Sequence, residues 1–188
     1  MSSAENRGAV YRLLARLWAN ELDQSVVELF STTDTQQLWT ELGGIDPSTV
    51  DMEETAEDYT RLLIGPLNHV SPVQSVWASG ELQSETAVSV QEFAEVCRFT
   101  SPWESLPLDH LSNTLMIMAR LVEVTAHVNV PDALQIPRVF FGRHVDWVQQ
   151  VMQRLAAIDE EGFYGNAAQV TATFLKQEAD EELKAAVG

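Results

Sequence analysis

Asp109 and His110 stand side by side in "SLPLDHLSNTL" (105–115), just past Pro107 and directly ahead of the chain's longest apolar helical stretch. An acid beside an imidazole at such a place suits three chemistries. Asp109 can cap the helix that follows, with His110 filling a partly exposed first turn. The two can form half of a catalytic acid–base pair. Or they can be a binding handle for a charged partner. Adjacent helical residues point about 100° apart, so a triad-like hydrogen bond between them is hard to make. Spacing assigns no serine or cysteine as their nucleophile. The capping box is incomplete, since the third residue beyond Asp109 is Ser112 and not Glu or Gln. The His110 imidazole is expected to make binding pH-sensitive near neutrality, by its residue type alone.

Other reactive side chains are sparse. His69, His110, His127 and His144 lie too far apart for a helical metal pair, and no metal or other cofactor is expected. Cys97 is the only cysteine, which excludes an internal disulfide and any multi-cysteine motif, and reads as a buried thiol. No phosphate-cradling G-x-x-x-x-G-K-[ST], dinucleotide G-x-G-x-x-G, H-E-x-x-H or G-x-S-x-G motif is present. No catalytic residue is therefore assigned. A small hydrolase built on Asp109-His110, or a weak nucleotide hydrolase, is the enzyme alternative.

Charge narrows the partners. Against 28 acidic residues stand 11 basic ones, a net charge of −17, which repels nucleic-acid phosphates and anionic membranes. Such a surface attracts a basic partner such as an Arg-rich peptide. With only Lys176 and Lys184 as lysines, it equally suits solubility in a salty cytoplasm. Glu53, Glu54, Glu57 and Asp58 form an acidic cluster, a solvated helix face or a seat for cations. The N-terminus lacks the apolar core of a secretory signal, and no run approaches the roughly 18 apolar residues of a membrane span. The chain reads as cytoplasmic, with no stable membrane insertion.

The elements that must position these residues follow from periodicity. Val10, Leu13, Leu14, Leu17 and Trp18 form one helical stripe over residues 5–20. "DQSVVELF" and "DTQQLWTEL" each open on an Asp suited to cap a short helix. A longer helix is expected from Asp46-Pro47 to the breaker pair Gly65-Pro66. Residues 66–86, with two prolines, a glycine and no period, read as one long loop of the kind that is often functional. A helix near 88–98 follows. Leu111, Leu115, Met118 and Val122, widened by Ile117, Leu121 and Val124, mark a helix apolar nearly all round, hence central. Pro131 and Pro137 bracket a connection. Phe141, Val145, Val148, Met152 and Leu155 repeat the helical spacing, as do Phe163, Ala167, Val170 and Phe174, before a charged, solvated or frayed tail at 175–188. No strand alternation appears. The expectation is an all-α single compact domain over 1–188.

Several stretches together resemble the TorD/DmsD family of redox-enzyme maturation chaperones, with NarJ-type chaperones as a wider circle. "EDYTRLLIGPLNHVSPVQSVW" (57–77) is similar to that family's E-x-Y-x-x-L-F-x-G-P, a gap, then P-x-E-S-V-Y/W. "PLDHL" (107–111) resembles its P-x-D-H-L, and "FFGRHVDWVQQVMQRL" (140–155) and "GFYGNAAQVTATFL" (162–175) resemble its closing helices. The likeness covers about two-thirds of the chain, in the family's order. It implies an all-helical chaperone with the long loop at about 66–86. The chaperone would bind the twin-arginine leader, and the precursor body as a further possibility, of a molybdopterin oxidoreductase, holding back export until the cofactor is loaded. The family's peptide-binding positions map to Tyr59, Leu63, Gly65, Pro66, Pro72, Ser75 and Trp77, with Pro107, Asp109 and His110. Leu63 replaces a usual Phe, Gln74 stands where Glu is common, Thr114 occupies a frequent Glu position, and the bulky aromatic of the loop is Leu67 or Val73 here. An assembly factor that binds only the folded redox subunit is the alternative within the wider circle. Both monomer and helix-swapped dimer remain open. A pair of guanidiniums ahead of an apolar stretch needs carboxylates beside an apolar, aromatic surface. Asp109, the acidic cluster, Tyr59 and Trp77 are the residues that could supply it. On this reading Asp109-His110 is a binding handle at a helix start.

Overall fold

The computed structural model describes residues 4–82, 84–127 and 135–187, with residues 181–187 in backbone alone. Its helices are α1 (Ala4–Ala19), α2 (Gln24–Phe30), α3 (Thr33–Glu41), α4 (Met52–Tyr59), α5 (Gln74–Ser79), α6 (Glu85–Val96), α7 (Leu111–Ala126), α8 (Gln135–Phe140), α9 (Val148–Ile158) and α10 (Phe163–Val187). A 3-10 turn covers Pro47–Thr49, and π turns continue α4 over Thr60–Ile64 and α8 over Phe141–Val145. Among the described residues the only β pairing is an isolated antiparallel bridge between Val73 and His110. The fold is all-α.

The chain gathers into two compact units. One comprises residues 1–19 with 71–147, the other residues 20–70 with 148–188.

In the first unit α1 packs along α7. The α1 stripe buries Val10, Tyr11, Leu14, Leu17 and Trp18, while α7 buries Leu111, Leu115, Ile117, Met118, Leu121 and Val122. Each such side chain contributes on the order of 1.5–3 kcal/mol of burial, which is why an almost uniformly apolar α7 is held inside its unit. An Arg12–Glu123 ion pair ties the two helices at the surface.

In the second unit α9 lies against α10. Val148, Val151, Met152 and Leu155 of α9 and Phe163, Ala167, Val170 and Phe174 of α10 are buried; Ala167 and Ala168 are small enough for a close approach. Asp159 makes the corner between these helices. Its carbonyl accepts from Gly162 N at 3.1 Å and its carboxylate from Gly165 N at 2.8 Å, filling two of the donors that open α10.

Four expectations change. The helix placed at Asp46-Pro47 begins there only as the 3-10 turn. Val50 is extended (φ −92, ψ 155), and the chain restarts at Asp51, whose carboxylate accepts from Glu53 N and Glu54 N. The cap position of α3 belongs to Thr32, with Asp34 inside the first turn. The stretch 66–86 is broken by α5, which ends on Gly80 in the left-handed region (φ 76), where glycine carries no side-chain penalty. Pro137 lies within α8, and the apolar spacing from Phe141 to Leu155 runs through a π turn and a bend before α9. Pro131 lies outside the described residues. The tail keeps a helical backbone to Val187.

Candidate functional site

Within the first unit, the "PVQSVW" and "PLDHL" stretches are bonded to each other. Leu111 N donates to Pro72 O at 2.8 Å and Gln74 N to Asp109 O at 3.0 Å. Val73 stands at the N-cap of α5 and has no side-chain oxygen to offer. The missing acceptor comes from 34 residues further on: Asp109 Oδ2 takes the hydrogen of Ser75 N at 2.9 Å. Asp109 therefore caps α5, not α7, and at 1 % exposure it is no surface handle.

His110 caps α7 instead. Its Nδ1 accepts from Ser112 N at 3.1 Å, which places the ring proton on Nε2. The expected partly exposed first turn is also corrected, since His110 is buried. Burial pushes its pKa down to about 4 against the opposing pull of Asp109, so the ring stays neutral at physiological pH and does not act as a sensor there. The two side chains serve different backbone amides, which leaves the acid–base pair without geometric support. Asn113 steadies the approach to His110, donating to Pro107 O at 2.9 Å and accepting from Ser101 Oγ at 2.7 Å.

A second buried polar group went unread in the sequence. Gln74 donates through Nε2 to Arg143 O at 2.8 Å, which turns its Oε1 toward His144 Nδ1 at 3.0 Å. His144 Nδ1 must then be the donor, leaving Nε2 to accept from Ser89 Oγ at 3.0 Å. Burial, with Arg143 adding to it, lowers this pKa as well to about 4. The ring packs against Phe93 and Phe140. Gln74 was visible only as a departure from a common Glu, and separations of 55 and 70 residues hide its network from any local pattern. Trp77 is half-buried, donating to Ser71 O at 2.7 Å, with its ring 6.4 Å from that of Trp147.

These neutral histidines give an acid-stability prediction. In the unfolded chain each protonates below about 6.5, but in the fold only below about 4. Between those values the unfolded state binds more protons, so stability is full above pH 6.5 and falls as the pH drops toward 4. Each histidine should cost on the order of 3 kcal/mol across that window, and the pair about twice that. Urea midpoints measured from neutral to acid pH would check it, and His144→Gln should flatten the slope. An equal slope in that variant would remove His144 from the account.

In the second unit, Tyr59 and Leu63 point inward, at 5 % and 3 % exposure, with the Tyr59 ring 5.5 Å from Tyr164. Gly65 is buried and closes the π turn, its N donating to Thr60 O at 2.7 Å. A Cβ there would stand 3.3 Å from the carbonyl oxygens of Thr60 and Arg61, so close approach, not an unusual φ, favours glycine. Pro66 is exposed. Val70 N returns to Leu62 O at 2.7 Å, closing the loop after it. Of the acidic cluster, Glu53, Glu54 and Glu57 are exposed, while Asp58 holds Arg61 at 2.6 Å; Asp159 reaches the same guanidinium at 3.3 Å.

The structure thus brings Pro72, Ser75, Asp109 and His110 together, with Trp77 on the same short helix and Pro107 exposed beside them. Tyr59, Leu63, Gly65 and Pro66 belong to the other unit. Among the described residues no three His, Cys, Asp or Glu side chains converge as metal ligands would, and no helix is long and apolar enough to cross a membrane.

Residues 18–153 match the nitrate reductase delta subunit family. The chaperone protein TorD of Shewanella sp. (strain MR-4) is 26 % identical over 200 residues, covering 92 % of this chain and 91 % of its own. TorD of Shewanella oneidensis is also 26 % identical, over 203 residues, covering 92 % of this chain and 88 % of its own. A crystal structure described as that of a redox enzyme maturation protein from Archaeoglobus fulgidus superposes with a TM-score of 0.60 at 17 % identity, covering 94 % of this chain and 95 % of that one.

Proposed function

This chain belongs to the nitrate reductase delta subunit family and is a TorD-type maturation chaperone, and on that premise we propose that it binds the twin-arginine leader of a molybdopterin oxidoreductase. It acts in the cytoplasm, occupying the leader so that export waits until the cofactor is in place. The observation that carries the reading is the bonding of the Pro72–Trp77 and Pro107–His110 stretches through Asp109. Two motifs that resemble the family's leader-reading positions form one bonded piece, and buried Asp109 and His110 hold its shape while exposed Pro107 and half-buried Trp77 are left at its edge. The net charge of −17 supports the same reading, since it favours a partner that presents guanidiniums.

The test is calorimetric titration with a synthetic twin-arginine leader and with its Arg-Arg→Lys-Lys version. Saturable binding at about micromolar affinity or tighter is expected. The lysine peptide should bind at least about tenfold more weakly, because an ammonium cannot make the two-pronged carboxylate contact of a guanidinium. Heat of equal size from both peptides, or from neither, sinks the reading. Capture of the leaderless client alone would assign the chain to the assembly of the folded redox subunit.

A further inference from the structure

Outside the bonded motifs, the most exposed large apolar side chains among the described residues of the second unit follow α4, the helix that carries Glu53, Glu54, Glu57 and Asp58. Leu67 is 80 % exposed and Ile64 64 %. They flank Gly65-Pro66 in a loop that is closed by its own backbone bonds, Gly65 to Thr60 and Val70 to Leu62, both 2.7 Å. Asn68 within it adopts φ 59, a left-handed conformation that few non-glycine residues take. The loop therefore holds Leu67 out in water, where a slack segment would fold it back.

The same face runs along α4. Thr55, Tyr59, Leu62 and Leu63 point inward, whereas Glu53, Glu54 and Glu57 are exposed near its start and Ile64 at its end. Eleven residues of roughly 1.5 Å rise separate Glu53 from Ile64, about 16 Å. Arg61 lies between, but Asp58 and Asp159 balance its charge.

We propose that this face is a docking surface with a direction: its occupant is a peptide carrying arginines ahead of an apolar run, the guanidiniums against Glu53, Glu54 and Glu57 and the apolar run on Ile64 and Leu67. The proposal rests on the leader-binding reading and gives that leader a polarity on this chain. Charge complementarity selects the occupant: a chain of net charge −17 with its exposed glutamates at one end of an apolar ledge matches a basic-then-apolar segment. An extended peptide spans the distance in about five residues, so arginines and apolar run should be roughly that far apart for best binding.

The experiment uses the full chain and three peptides: the leader, the same composition with the apolar run ahead of the arginines, and the leader with about eight more Gly/Ser residues between its two parts. Ile64→Ser with Leu67→Ser should lose about tenfold in affinity at any salt concentration. The triple variant Glu53→Gln, Glu54→Gln, Glu57→Gln should lose about tenfold at low salt, the difference fading as salt rises. All five positions are exposed, so helix content should stay native by circular dichroism, which separates lost binding from lost fold. The reversed and lengthened peptides should both bind more weakly. Full affinity in either variant set, or equal binding of the reversed peptide, overturns the directional face while leader binding itself stands. No binding of the leader by the native chain overturns both.

Discussion

Asp109→Ala should unfasten α5 while leaving the main-chain bridge between Val73 and His110 in place. The carboxylate is buried and serves the amide of Ser75 at 2.9 Å, itself a fully buried residue. Alanine would leave that donor without an acceptor and a small void beside it, for a loss of about 2–3 kcal/mol. That is a large share of the 5–15 kcal/mol typical of a folded domain. Asp109→Asn keeps an oxygen for the same amide and should cost clearly less. Leader affinity should follow stability, falling in the alanine variant and largely surviving in the asparagine one. Were Asp109 a direct partner of a guanidinium, the asparagine variant would lose affinity at unchanged stability. Urea denaturation, with the near-ultraviolet signal of Trp77 and Trp147 as a local probe, paired with calorimetry, decides between the two.

A still larger loss is expected from Gly165→Ala. A Cβ at that position would overlap the carbonyl oxygen of Asp159, a backbone atom with no rotamer to escape into. The corner between α9 and α10 would have to open. Opening it disturbs the Asp159 carboxylate, which holds Gly165 N at 2.8 Å and Arg61 at 3.3 Å. Overpacking of this kind costs about 3 kcal/mol or more, enough to leave a marginal protein largely unfolded. Gly142→Ala is the control: nothing stands within 4 Å of its Cβ, and its φ is not positive. It should be neutral or stabilising by up to about 1 kcal/mol. A denaturation midpoint for Gly165→Ala equal to that of the control would show the corner to be looser than this contact implies.

The all-helical architecture was legible because burial follows a local rule. The stripes through Leu14 and Leu17, through Leu115 and Met118, and through Ala167 and Phe174 are spaced by the helical turn itself, and each is buried. The caps at Asp23 and Asp46 were readable for the same reason, since a capping side chain serves an amide two or three residues away. What escaped is non-local. α5 has no cap of its own, so its sequence looks like loop; the group that starts it is Asp109. Asp109 in turn looked like the cap of α7 because it precedes an apolar run, but His110 performs that task through a ring nitrogen, an uncommon acceptor for a helix start. The motif stretches were picked out by resemblance, which locates a segment without saying which of its side chains face water. Tyr59, Leu63, Ser75, Asp109 and His110 turn out to be buried, whereas Pro66 and Pro107 are exposed, as are Ile64 and Leu67, neither of which was assigned to the site.

The pairing of α1 with α7 has a consequence in time. The ribosome finishes α1 at Ala19 and reaches the end of α7 only at Ala126. At roughly 5–20 residues per second, α1 waits on the order of 5–20 s for the surface it packs against. Throughout that interval Tyr11, Leu14, Leu17 and Trp18, all fully buried in the finished fold, have no native cover. A TorD-type maturation chaperone thus carries, while it is itself being synthesised, an apolar helix that waits for the partner that buries it.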